Sequence, residues 1–101
     1  MIFKKKPRND TVAQLGCATV HELKTLPEFF GAVAWGKKTF EVRRDDRGFE
    51  VGDVLLLREY DPTTGYTGAR LAARVTYILR DERYVKEGYA VMAIENLWIK
   101  S

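Results

Sequence analysis

The stretch Pro27-Glu28-Phe29-Phe30-Gly31-Ala32-Val33-Ala34-Trp35-Gly36-Lys37-Lys38-Thr39-Phe40-Glu41-Val42-Arg43-Arg44 decides the fold, because its periodicity changes once, near the middle. Its first half places Phe29, Phe30, Val33 and Ala34 at helical spacing behind a proline, a residue favoured in a first turn. Gly36 stands where a helix-terminating glycine belongs. These signals predict a helix from Pro27 to Trp35, with Trp35 in the core. The second half alternates, with Phe40 and Val42 on one side and Thr39, Glu41 and Arg43 on the other. It reads as a strand from Thr39 to Arg44.

Upstream, Val20 to Leu26 sets Val20, Glu22, Lys24 and Leu26 against His21, Leu23 and Thr25, and reads as a short strand or an extended lead-in. Downstream, Asp45 to Gly52 is a loop broken by Gly48 and Gly52. Asp53 to Tyr60 is an apolar-rich strand. Asp61-Pro62-Thr63-Thr64-Gly65 is a turn, which Gly68 extends. From Arg70 to Leu79 the residues Leu71, Ala73, Val75, Tyr77 and Leu79 share one face of a strand. Arg80 to Gly88 is polar, a loop or a short helical turn. Tyr89 to Glu95 is a last strand, which Leu97, Trp98 and Ile99 can extend. One helix cannot cover a wide open sheet. The order therefore predicts an α+β fold, a small β-barrel with one main helix, since closure removes unpaired strand edges.

The chain has 101 residues, 46% hydrophobic and 31% charged, which fits one globular domain rather than a disordered segment. Residues 1–18 read as a basic tail with an ordered piece near Val12–Leu15, and residues 19–101 as the domain. No apolar run approaches the ~20 residues of a membrane span, and no secretory signal is visible. With one cysteine, Cys17, and one histidine, His21, there is no internal disulfide and no Cys/His zinc site. Cys17 reads as a plain small residue, and the adjacent Asp45 and Asp46 point different ways, so neither a metal nor a cofactor is expected. A reducing cytoplasm is the default compartment. The net charge of +3 is mild. The basic residues cluster at 1–10 and 36–47, which suits a polyanion, but charge alone favours a solvated surface.

The chemistry concentrates at the helix-to-strand junction. Glu41 and Arg43 project from one strand face, and the long stem of Lys38 reaches the same space. Arginine and lysine hold phosphates, the first as a fork and the second as a point charge. A carboxylate accepts from an exocyclic amine of a base. A lysine beside a carboxylate also serves acid–base work. Spacing alone favours an ordinary ion pair on a strand face. His21 is a candidate acid or base or a structural hydrogen-bonding residue. Arg44, Arg47 and Arg58 are candidate phosphate contacts, and Tyr60 and Tyr66 flank a turn from which either can stack on a base.

Gly36, Lys38, Glu41 and Arg43 satisfy Gly-x-Lys-x-x-Glu-x-Arg, a pattern that resembles the signature of the PUA-like ASCH superfamily. The wider run also resembles a small prokaryotic and phage-borne family of unknown function within it. That run comprises His21-Glu22-Leu23-Lys24, Gly36 to Arg43, Asp46-Arg47, Val51-Gly52-Asp53, Leu57 to Asp61, Tyr66-Thr67-Gly68 and Lys86 to Tyr89. The resemblance implies a PUA-like barrel whose signature residues line a cleft beside the helix, and handling of RNA or a nucleotide. Lys24, Lys37, Lys38, Thr39, Glu41, Arg43, Arg44, Arg47, Arg58, Tyr60 and Tyr66 are then the expected binding residues. Some relatives are enzymes. One branch deacetylates N4-acetylcytidine with a lysine, a threonine and a glutamate. Lys38 keeps that lysine, and Glu41 stands at the place of the threonine. Other relatives are proposed to cleave RNA. Three functions follow: an RNA- or nucleotide-binding module; an RNA- or nucleoside-processing enzyme of ribonuclease or amidohydrolase type, using Lys38, Glu41 and His21; or a phage-type inhibitor that binds a protein partner.

Overall fold

A computed structural model describes residues 18–100. The expected basic tail, the piece near Val12–Leu15 and Cys17 lie outside the described residues, apart from residue 18. The elements are β1 (Val20–Thr25), α1 (Pro27–Ala34), β2 (Phe40–Arg44), β3 (Val54–Asp61), β4 (Gly65–Leu79) and β5 (Tyr89–Lys100). The strands form one sheet in the order β1-β3-β4-β5-β2. β1 runs parallel to β3, and every other neighbouring pair is antiparallel.

β1 and β2 are therefore the two ends of the sheet. The Arg43 guanidinium of β2 nevertheless donates to the Lys24 carbonyl of β1 at 3.0 Å. Only a curled sheet brings its ends that close. The protein is a half-barrel, strongly curved but open between β1 and β2, where the sequence predicts a closed barrel. Side chains bridge the gap that a closed barrel would fill with backbone hydrogen bonds.

The concave face holds the core. Leu23 of β1, Leu55 and Leu57 of β3, Leu71, Ala73 and Val75 of β4, and Ala90, Met92 and Ile94 of β5 are all buried. Phe30 and Val33 of α1 and Phe49 of the loop after β2 close over them. The helix starts with Pro27 in its first turn. It ends with the Gly36 amide on the Val33 carbonyl and the Lys37 amide on that of Ala32, both at 2.9 Å. This C-terminal motif needs a left-handed residue, and Gly36 supplies it at φ 77°.

Four sequence expectations are corrected. Trp35 is not core but 82% exposed. It lies about 140° around the helix from Phe30 and 160° from Val33, at ~100° per residue, on the side away from the sheet. Gly68 does not prolong a turn; it sits inside β4, whose pairing with β3 already begins at Asp61 and Gly65. Tyr77 does not share the buried face of Leu71, Ala73 and Val75. The β4–β5 register shifts between Val75 and Tyr77, and this inserted residue turns Tyr77 outward and brings Ile78 onto the core. The strand at the junction begins at Phe40 rather than Thr39.

Candidate functional site: a basic groove at the open seam

The seam is built from β2 inward. Along β2 the alternation is inverted. Phe40 and Val42 are 42% and 50% exposed, whereas Glu41 is 2% exposed. Burying a lone carboxylate is costly unless its charge and lone pairs are satisfied. Here both oxygens are. Lys38 Nζ donates to Oε2 at 2.7 Å, and Arg43 Nε donates to Oε1 at 2.9 Å. Lys38 also donates to the Phe40 carbonyl at 2.7 Å and sits between the Phe29 and Phe40 rings. Arg43 extends across the seam to the Lys24 carbonyl and, at 3.1 Å, to the Thr25 hydroxyl. The Gly36-Lys38-Glu41-Arg43 pattern thus has a structural content. The glycine ends the helix, the lysine and arginine neutralise the buried glutamate, and the arginine laces β2 to β1.

A second guanidinium acts in parallel. Arg47, in the loop after β2, donates to the Glu22 carbonyl at 2.8 Å. The carbonyls of Glu22 and Lys24 lie on the same edge of β1, and an uncovered strand edge invites non-specific pairing. Two arginines occupy these acceptors.

Above this lacing lies a groove of about 290 Å³. Glu22, Leu23 and Lys24 of β1 form one wall, Arg43 and Arg47 another, and Arg58 of β3 with Tyr66 of β4 a third. Arg58 lies 4.0 Å above the centre of the Tyr66 ring, and Lys24 4.4 Å above that of Tyr60. The two tyrosines meet edge-on with centroids 5.0 Å apart. The groove lining carries four cationic side chains against one carboxylate, Glu22, which contacts Arg58 at 3.4 Å. Such a lining attracts anions and offers flat faces for stacking.

Of the residues singled out by sequence, Lys24, Arg43, Arg47, Arg58 and Tyr66 meet in this groove, and Tyr60 backs it. Lys38 and Glu41 meet each other below it. Lys37, Thr39 and Arg44 stand elsewhere. The Lys37 amide closes the helix end, the Thr39 carbonyl accepts from the Ile94 amide at 3.0 Å, and Arg44 stacks on Tyr89 outside the barrel. His21 does not enter the groove. It is 7% exposed, with Nε2 2.8 Å from Asp53 Oδ2 and its ring edge-on to Phe49. Asp53 also accepts the Glu50 amide at 3.0 Å, so this pair fastens the loop before β3 to β1. Sequence reasoning missed Thr25 and Glu22 as site residues. The outward alternation of Glu22 with Lys24 carried a signal for the second, whereas nothing local reveals that Thr25 would meet Arg43 across the seam.

The groups with displaced titration lie away from the groove. Hydrogen bonding to Arg83 holds the Asp81 carboxyl below its usual range, and Asp45 raises Arg80. Among the described residues no three His, Cys, Asp or Glu side chains stand together as metal ligands, and no helix is long and apolar enough to cross a membrane.

A family model described as a domain of unknown function, DUF3850, matches residues 20–94. The chain belongs to this family. The DUF3850 match contains the whole groove, the lacing arginines and the buried trio. The chain is also similar to an uncharacterized 12.9 kDa protein in the GpA 3′ region of Escherichia phage P2, with 41% identity over 59 residues, 58% of this chain and 53% of the phage protein. The matched segment therefore spans about half the length of that relative.

Proposed function

We propose that this DUF3850 chain is a binding module for RNA or a nucleotide, acting in the cytoplasm, and that its ligand lies in the seam groove. The half-barrel with a helix beside its open seam is read as a PUA-like domain of the ASCH type. One observation carries the proposal: four cations converge with an accessible tyrosine on a groove that holds a single carboxylate. Cations meet phosphates and the tyrosine meets a base, the combination on which sequence-tolerant single-strand binders rely. The buried trio supports this role more than catalysis, because both Glu41 oxygens are already occupied by Lys38 and Arg43. Binding of short RNAs, DNAs and nucleotides at two salt concentrations tests the reading. Affinity that falls with salt and with Arg58→Ala is expected, since each neutralised phosphate releases counterions. Absence of binding to every ligand at low salt would overturn it.

A second reading rests on a separate part of the same sheet, the convex face of β2, β5 and β4. Phe40, Val42 and Tyr77 are exposed, and the register sets them in rows with Ala93, Val91 and Leu79. An uncovered apolar sheet face of this kind suits a protein partner. A stoichiometric complex lost on Val42→Asp, with oligonucleotide binding intact, would favour it.

A further inference from the structure

We infer that the groove holds one nucleotide unit together with the phosphates on both sides of it, and so takes an internal residue of a single strand rather than a mononucleotide. The inference rests on the nucleic-acid reading above and adds the ligand's minimal chemistry to it.

The two lacing arginines are pinned to one strand edge. Arg47 is fixed by the Glu22 carbonyl and Arg43 by the Lys24 carbonyl. Carbonyls two residues apart on one strand edge are separated by ~6.6 Å. Neither guanidinium is exhausted. An arginine has five N–H donors. Arg43 uses one toward each of Glu41, Lys24 and Thr25. Among the described residues Arg47 donates one hydrogen bond, and its other polar contact is a 4.0 Å approach to Asp46. Both side chains line the groove, so unused donors are available there at two fixed points. An extended sugar–phosphate chain repeats its phosphate on about this span. The two phosphates of a nucleoside diphosphate share a bridging oxygen and lie much closer together.

The same groove is lined by the Arg58–Tyr66 stack, with Tyr66 45% exposed. Aromatic rings and guanidinium planes are the surfaces on which unstacked bases rest. A volume of about 290 Å³ accommodates a single nucleotide and not a duplex. The base must therefore be free of its helix. Pinning by main-chain carbonyls also means that little side-chain freedom is lost on binding, which favours a geometrically exact ligand over a merely charged one.

The test compares a nucleoside 3′,5′-bisphosphate with the 5′-monophosphate, the 3′-monophosphate and the 5′-diphosphate of the same nucleoside, by calorimetry on the full chain. The bisphosphate is expected to bind about tenfold or more tighter than each of the others, as one added charge-assisted contact implies. Arg47→Ala should reduce that advantage to about twofold or less. Arg47 is on the surface, and the wild-type comparison decides the matter even without the variant. Bisphosphate and diphosphate binding equally well would overturn the two-point geometry while leaving the nucleotide reading intact. If none of the four binds and a short single strand does not bind either, both fall.

Discussion

The two strands at the ends of the sheet obey opposite rules. β1 follows the usual alternation, with Glu22 and Lys24 facing solvent and His21, Leu23 and Thr25 buried. β2 reverses it: Glu41 is buried while Phe40 and Val42 are exposed. The difference lies in what each strand is for. β1 gives the core an apolar side chain and gives the seam its carbonyls. β2 gives the seam its charges, and those charges turn inward because the seam is inside the curl. Its apolar side chains are left on the convex surface. An alternating pattern defines two faces of a strand; it does not say which face is inside.

The largest effect should come from breaking the buried charge of β2. Glu41→Ala leaves Lys38 and Arg43 without their shared partner and unfastens the β2–β1 lacing. A loss of roughly 3–5 kcal/mol is expected in urea unfolding, and a loss below about 1 kcal/mol would mean that the trio is ornamental. On β1, Leu23→Ala opens a cavity in the core and should cost about 2–5 kcal/mol. His21→Ala leaves Asp53 short of a buried partner, with an expected loss of about 1–3 kcal/mol. Groove binding should persist in that variant at a temperature where it is folded; abolished binding would return His21 to the site. The smallest effect sharpens the comparison most. Val42→Thr on the convex face should shift stability by no more than about 0.5 kcal/mol, and a substantially larger loss would show that this face is covered in solution.

Much of the fold was legible. The helix, its proline start and its glycine stop follow from local chemistry, and the strands appear close to where alternation and turn residues predict them, except that β4 starts at Gly65 rather than Arg70. What escaped depends on contacts between distant segments. The open seam arises because Arg43 and Arg47 cap the edge of β1 with side chains, and no local pattern records that substitution for a strand. The outward turn of Tyr77 depends on the bulge after Val75, which becomes visible only against the register of β5. Within the candidate site, Lys24, Arg43, Arg47, Arg58 and Tyr66 were readable as charges and rings around one turn and one junction. His21 was not separable from them, because its partner Asp53 lies 32 residues away. Trp35 looked like core by composition, and its position around a short helix decides otherwise.

The most direct test of the nucleic-acid reading is the salt dependence of binding to a short single-stranded RNA, measured for the wild type and for Arg47→Ala. A linear fall of log affinity with log salt is expected, with a slope in the variant smaller by roughly 0.7, the value for one lost phosphate contact on a single strand. Affinity independent of salt, or a slope unchanged by Arg47→Ala, would contradict the groove as the place where the phosphates lie.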